Sequence, residues 1–202
     1  MPAAARYVDI QRPRKRPAMS PDEPIPVHER TIALVGLMGV GKSTVGRRLA
    51  KRLGLPFADG DSEIEAAAKM TVSDIFAQLG EAGFRAGEAR VLKRLLHAPR
   101  MVLATGGGAV LNPETRKELK ARAITVWMRA DLETVAARVQ RRDTRPLLRG
   151  RDPLEALKAM AEVRNPYYAT ADLTVDVSSG AHAEAVESIM RALATYGAGV
   201  AA

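Results

Sequence analysis

Three glycines, a lysine and two adjacent hydroxyls fall within one short stretch, Gly36-Leu37-Met38-Gly39-Val40-Gly41-Lys42-Ser43-Thr44. It follows an apolar run, Ile32-Ala33-Leu34-Val35, and precedes apolar residues at helical spacing, Val45, Leu49 and Leu53. Residues 36–43 fit G-x-x-x-x-G-K-[ST] without a mismatch, in the strand–loop–helix setting that gives the pattern its meaning. Glycines let backbone N–H groups turn toward phosphate oxygens, and the helix N-terminus behind them adds a positive dipole. Lys42 has the reach to span β- and γ-phosphates, and the Ser43 hydroxyl can ligate Mg²⁺. Gly39, Val40, Gly41, Lys42, Ser43 and Thr44 are therefore the candidate cradle for a nucleoside triphosphate.

Binding alone is not a reaction. Motor and switch nucleotidases of this class usually end a second strand in an acid that supports the metal. Here Met101-Val-Leu-Ala-Thr105 runs instead into Gly106-Gly107-Gly108, and the acids follow another apolar run as Asp59-Gly60-Asp61. In an open parallel sheet, ligands gather outside the carboxyl ends of strands, so both segments are expected beside the phosphate loop. Two acids there can divide the labour, one supporting the metal shell and one holding an acceptor hydroxyl. Either could instead cap the helix expected from Ser62.

Short apolar runs at Ile32–Val35, Leu55–Ala58, Met101–Ala104, Ile124–Met128 and Leu173–Val177 read as strands. Between them lie helix starts with capping residues: Asn112-Pro113-Glu114, Asp152-Pro153-Leu154-Glu155, and Ser62 with Glu65 as a capping box. Strands alternating with helices predict an α/β fold with a parallel sheet covered on both faces. The length of 202 residues and 47% hydrophobic content suit one domain with a proper core, built mostly from Leu, Val, Ile and Ala because aromatics are only 4%. Cysteine is absent, which excludes disulfides and thiolate metal sites. No apolar stretch approaches membrane-spanning length and no secretory signal opens the chain, so no membrane partner and a cytoplasmic location are expected.

Residues 1–28, rich in Pro, Arg and Ala without periodicity, read as a disordered tail. The folded domain is expected over 29–195, with a short C-terminal tail at 196–202. A formal net charge of +8 invites a nucleic-acid reading. The charge is concentrated, however. Arg138, Arg141, Arg142, Arg145, Arg149 and Arg151 face one acid, Asp143, and Arg12, Arg14, Lys15 and Arg16 lie in the tail. Such clustering suits a small polyanion, and no nucleic-acid partner is expected.

Taken together, Gly36–Thr44, Phe57-Ala-Asp-Gly-Asp61, Gly83-Phe-Arg85 followed by Glu88, Ala104-Thr-Gly-Gly-Gly108, Arg145-Pro-Leu-Leu148 and Arg164-Asn-Pro-Tyr-Tyr168 resemble the shikimate kinase family. The resemblance runs from Thr31 to about Leu193. It implies a three-layer α/β/α P-loop kinase fold, nucleoside-monophosphate-kinase-like, with a parallel five-stranded sheet and a short lid at about 141–152. It implies a monomer, and Mg²⁺- and ATP-dependent phosphorylation of the 3-hydroxyl of shikimate, a step of aromatic amino-acid biosynthesis. The family's shikimate-binding aspartate falls on Asp61 and its magnesium-associated aspartate on Asp59. Its carboxylate-binding arginines fall on Arg85 and Arg164, its substrate-contacting glycine on Gly107 within Gly106–Gly108, and its lid arginine on Arg145. Arg138 falls near the position that stacks on adenine. The long N-terminal tail is a departure from many relatives.

The residues support those roles on their own chemistry. An anionic acceptor calls for a guanidinium fork that meets a carboxylate in two places. Arg85 shares an inward-leaning helical face with Leu92 and Leu96; its spacing also allows a weak helix pair with Glu88, and both can hold at once, with Glu88 orienting the fork. Arg164 lies in one stripe with Leu154, Leu157, Ala161 and Tyr168. In the arginine-rich stretch, Pro146 interrupts the helix expected from Asp131 and Gly150 frees the other end, as a closing lid would need. Lys42, Asp61 and Arg145 are the candidate catalytic groups. His28, His97 and His182 lie far from every motif and are given no role.

Overall fold

The computed structural model describes residues 25–140, 152–178 and 181–200. Residues 1–24, the arginine-rich stretch 141–151 with Arg145, residues 179–180 and residues 201–202 lie outside the described residues. Strands β1 (Thr31–Val35), β2 (Phe57–Asp59), β3 (Val102–Ala104), β4 (Ala123–Arg129) and β5 (Leu173–Asp176) pair in parallel in the order β2-β3-β1-β4-β5. Helices α1 (Lys42–Leu53), α2 (Gly60–Ala68), α3 (Val72–Leu96), α4 (Pro113–Arg122), α5 (Leu132–Gln140), α6 (Pro153–Tyr168) and α7 (His182–Val200) complete the three layers. Every residue of β1 is buried, which explains its unbroken apolar run: a parallel strand covered on both faces has no wet side to encode.

The strand order creates the site. From β1 the chain crosses to one edge at β2, returns to β3, and then continues on the other side of β1 to β4 and β5. A crevice opens at the carboxyl end of the sheet where the direction reverses. Register aligns the segments around it: Leu34 and Asp59 both pair with Ala104, so the chain ends leading to Gly36, Asp61 and Gly106 emerge at one level. The Thr105 amide and hydroxyl both donate to the Leu34 carbonyl, at 3.1 and 3.0 Å, pinning β3 to β1 just before the triple glycine.

Local signals mostly hold. Asn112 and Asp152 accept first-turn amides of α4 and α6, each followed by a proline at the helix start. Gly46 lets α1 lie against the sheet, because a methyl there would sit 2.7 Å from the Phe57 ring.

Four expectations shift. The β2 ladder begins at Phe57 rather than Leu55, because the Leu55 amide donates to Ala50 and closes α1 instead. The α2 cap is Asp59, not Ser62: its extended backbone brings Oδ1 to the amides of Asp61 and Ser62, at 3.1 and 3.4 Å, so the helix starts earlier and Ser62 falls inside it. Residues 25–28, grouped with the tail, belong to the folded body, since Ile25 is buried and its carbonyl accepts from Arg30 Nε at 3.0 Å. At the other end α7 continues to Val200, past the boundary expected at residue 195.

Candidate active site

Two cavities meet at the carboxyl end of the sheet. The first, about 300 Å³, is lined by Gly39, Gly41, Lys42, Ser43 and Thr44, with Asp59, Asp61, Thr105, Gly107, Arg138, Val139 and His182. The second, about 420 Å³, is lined by Asp61, Arg85, Glu88, Arg164 and Gly106–Gly108, with Met38, Glu65, Thr71, Val72, Ser73, Phe76 and Phe84. Asp61 and Gly107 belong to both. A ligand in one cavity would therefore face a ligand in the other across these two residues.

The first cavity is a phosphate cradle in shape. Gly39 and Gly41 have φ of 82° and 96°, in the left-handed region that side chains disfavour, so glycine suits both positions. A methyl on Gly39 would also stand 2.5 Å from Val139, so α5 packs directly on the loop. Val40 contributes backbone only, its side chain being 3% exposed and in the core. Lys42 is nearly buried and donates to the carbonyls of Gly36 and Leu37, both at 2.8 Å, which holds its ammonium against the loop.

The second cavity is a cationic clamp with a buried acid at its base. Arg85 reaches it from the turns of α3 after Gly80, where φ of 66° breaks the helix. Its guanidinium donates to Glu88 Oε2 at 2.7 Å and to Glu81 Oε1 at 3.2 Å. Burial opposes the charge on Arg85, yet the two carboxylates outweigh it and its pKa lies above the ordinary value. Arg164, 6% exposed, enters from the inward stripe of α6 beside Leu157, Ala161 and Tyr168. The expected stripe thus holds, and Leu154 is its half-buried margin.

Glu88 goes beyond the weak helix pair that its spacing suggested. It is 2% exposed, and its Oε1 is buried with no hydrogen-bond partner among the described residues. Burial pushes its pKa up; Arg85 opposes this, the Asp61 carboxylate adds to it, and Arg164 opposes it again. A carboxyl raised in the folded state adds stability below its unfolded pKa, and that contribution is lost as pH rises through the folded value. Glu88 therefore weighs against the fold at neutral pH. Glu88→Gln, which mimics the protonated form while Arg85 keeps Glu81, is expected to melt above the wild type at pH 7. It should melt level with the wild type below about pH 4.5, and thermal melts across that range would read the difference. A lower melting temperature at pH 7 would contradict the account.

The triple glycine makes room for these groups. A methyl on Gly106 would collide with Glu88 Oε1 and stand 3.0 Å from Asp61 Oδ1. One on Gly108 would fall within 2.5 Å of Cζ and Nη1 of Arg85, and one on Gly107 would lie 3.5 Å from Nη1 of Arg164. Tyr168, 1% exposed, donates from its hydroxyl to the Gly107 carbonyl, and burial pushes its pKa up to about 12, so the donor keeps its proton.

This arrangement has known counterparts. A family model described as shikimate kinase matches residues 38–194. The chain belongs to the shikimate kinase family. It is 55% identical over 172 residues to a shikimate kinase of Caulobacter vibrioides, covering 85% of this chain and 86% of that one. It is 53% identical over 167 residues to one of Paramagnetospirillum magneticum, covering 83% and 86%. The solved shikimate kinase of Acinetobacter baumannii in complex with shikimate superposes with a TM-score of 0.81 at 38% identity, over 84% of this chain and 95% of that one. A gluconokinase of Sinorhizobium meliloti, at 21% identity and a TM-score of 0.54, shares the fold. The family's reaction is the ATP-dependent phosphorylation of shikimate.

The expected site residues Gly39, Gly41, Lys42, Ser43, Thr44, Asp59, Asp61, Arg85, Gly106, Gly107, Gly108, Arg138 and Arg164 all border one of the two cavities. Tyr168 and His182 were missed as site residues. Tyr168 carried a signal, four positions beyond Arg164 on the same stripe. His182, given no role on sequence, lines the nucleotide cavity beside Gly41, a placement made by the sheet rather than by any local pattern. His97 lies elsewhere, 3.0 Å from Glu118.

Proposed function

We propose that this chain transfers the γ-phosphoryl group of ATP to the 3-hydroxyl of shikimate, with the nucleotide in the smaller cavity and the acid in the larger. The observation that carries the reading is the shared wall: Asp61 and Gly107 line both spaces, so acceptor and donor meet there without a barrier. Arg85 and Arg164 hold the acceptor carboxylate, the guanidinium fork giving orientation as well as charge. Asp61 accepts the hydrogen bond of the 3-hydroxyl and aims its oxygen at the γ-phosphorus. The new P–O bond forms as the bond to the β–γ bridging oxygen breaks, ADP leaves, and the hydroxyl proton passes to Asp61 or departs late. Phosphoryl transfer through a loose transition state needs positioning and charge stabilisation more than covalent help. Lys42, at the floor of the cradle, supplies positive charge to the transferring group, as Arg145 does in the same reading.

Ser43 and Asp59 are the residues that would hold Mg²⁺. Both line the nucleotide cavity, both offer hard oxygen, and the Asp59 carboxylate is oriented by the amides of Asp61 and Ser62. Bound there with ATP, the ion would neutralise phosphate charge. Arg138 borders the nucleotide cavity from α5, where adenine stacking is proposed. A cytoplasmic monomer completes the proposal; among the described residues no helix is long and apolar enough to cross a membrane.

ADP formation with Mg-ATP, measured against shikimate, gluconate, AMP and no acceptor, tests the whole. Turnover is expected with shikimate alone. Turnover with gluconate or AMP at a similar rate, or none above the acceptor-free control, would defeat it.

A further inference from the structure

Tyr168 is the last residue of α6, one turn beyond Arg164, and it lines neither of the two cavities. Its ring lies in the core, 1% exposed, against Trp127, with 6.0 Å between the ring centroids and 31° between the planes. Packing accounts for the ring but not for the hydroxyl, since burying a polar group costs free energy unless it finds a partner. The partner is the Gly107 carbonyl, and Gly107 is one of the two residues common to both cavities. Among the described residues this is the one hydrogen bond between α6 and the glycine turn at residues 105–108. The rest of the inward stripe, Ala156, Leu157 and Ala161, is apolar. Apolar contact is non-directional, so it holds α6 down without fixing the helix along its own axis. Arg164 meets the same glycine: its Nη1 stands 3.5 Å from where a methyl on Gly107 would sit, and its charge is near enough to oppose the rise in the Tyr168 pKa. One helical turn thus brings a guanidinium to the acceptor cavity and a hydroxyl to the back of that cavity's wall.

We propose that Tyr168 is a positioning residue for the acceptor, fixing the shared wall through the Gly107 carbonyl and registering Arg164 against it without touching a substrate. This rests on the proposed function, in which Arg164 holds the acceptor carboxylate and phosphoryl transfer takes place beside Gly107. A buried carbonyl is costly to leave without its donor, so removing the hydroxyl would let the turn and the end of α6 shift to other partners. A small misplacement of a binding group is felt strongly in the rate of a reaction that depends on orientation.

The test compares two variants of the full chain. Tyr168→Phe keeps the ring on Trp127 and removes only the hydroxyl; Leu157→Val loosens the same stripe of α6 without reaching the glycine turn. Tyr168→Phe is expected to lower kcat/KM for shikimate about tenfold, while Leu157→Val stays within twofold of the wild type at a comparable loss of melting temperature. The Kd of ADP, which lacks the phosphoryl group nearest the wall, should change less than twofold in both. Coupling gives a second readout: in an Arg164→Lys background the further loss from Tyr168→Phe should fall below threefold, because the register no longer serves a fork. A Tyr168→Phe enzyme within twofold of the wild type, an equal loss in Leu157→Val, a tenfold loss of ADP affinity, or an undiminished loss in the Arg164→Lys background would each overturn the role. A Tyr168→Phe chain that does not fold would assign the hydroxyl to stability and overturn it too. A wild type inactive on shikimate would defeat the proposed function and this role together, whereas any of the other results in an active wild type would defeat this role alone.

Discussion

Asp61→Asn is expected to lower kcat for shikimate phosphorylation about 10²- to 10⁴-fold, the range for a positioned group that handles the transferred proton. The substitution keeps the side chain's shape but removes its charge and turns one acceptor atom into a donor. The hydroxyl would then lose the carboxylate that draws its hydrogen away from the attacking lone pair. ATP affinity should change little, because in the proposed site the phosphates would be gripped by Gly39, Gly41, Lys42 and Ser43, whereas Asp61 lies where that cavity adjoins the proposed acceptor space. Steady-state kinetics with shikimate, paired with direct ATP binding, separates the two. A loss near the lower bound with an unchanged pH profile would mark an orienting role; a loss near the upper bound would mark proton removal. A kcat within threefold of wild type would strike Asp61 from the mechanism. One side effect is also expected. The Asp61 carboxylate helps to hold the pKa of Glu88 up, so the variant should leave Glu88 easier to ionise.

Arg164→Ala should cost shikimate use about 2–5 kcal/mol in kcat/KM, the penalty for truncating one partner of a buried, hydrogen-bonded charge pair. That is at least about 30-fold. Arg164 is 6% exposed, so an acceptor carboxylate left opposite the deletion has little water to replace the lost donor. Arg164→Lys should recover only part of the loss, since an ammonium supplies charge without the two-pronged geometry. The KM of ATP should stay near its wild-type value. A shikimate kcat/KM unaffected by Arg164→Ala, in a protein that melts normally, would remove the clamp.

What the sequence allowed to be read, and what it concealed, follows from the range of each interaction. The phosphate loop is a local object, so its glycines, lysine and hydroxyls announced it without any knowledge of the sheet. Arg164 was legible for a related reason: a guanidinium recurring with Leu157, Ala161 and Tyr168 on one helical face needs an inward partner. Asp59 and Ser62 are both good caps in series, and the choice between them is made by β2 pairing with β3, which sets the backbone of Asp59 and so aims its carboxylate. The depth of Glu88 was hidden because a position three residues beyond Arg85 reads only as a helix pair that orients the fork. It becomes a core acid only once Gly106, a distant stretch of chain, is laid beside it. The Tyr168 bond to Gly107 and the His182 approach to Gly41 join segments with no shared periodicity, and only the strand order brings them together.

The missing side chains at Gly106 and Gly108 bear on how such a site can evolve. Any larger residue at 106 meets Glu88, and any at 108 meets the Arg85 head group, while Arg85 and Glu88 hold each other. Four positions are therefore locked in mutual epistasis. A saturation library should recover alanine at 106 only alongside a shortened side chain at 88, and drift toward a different acceptor would have to cross that valley by paired changes.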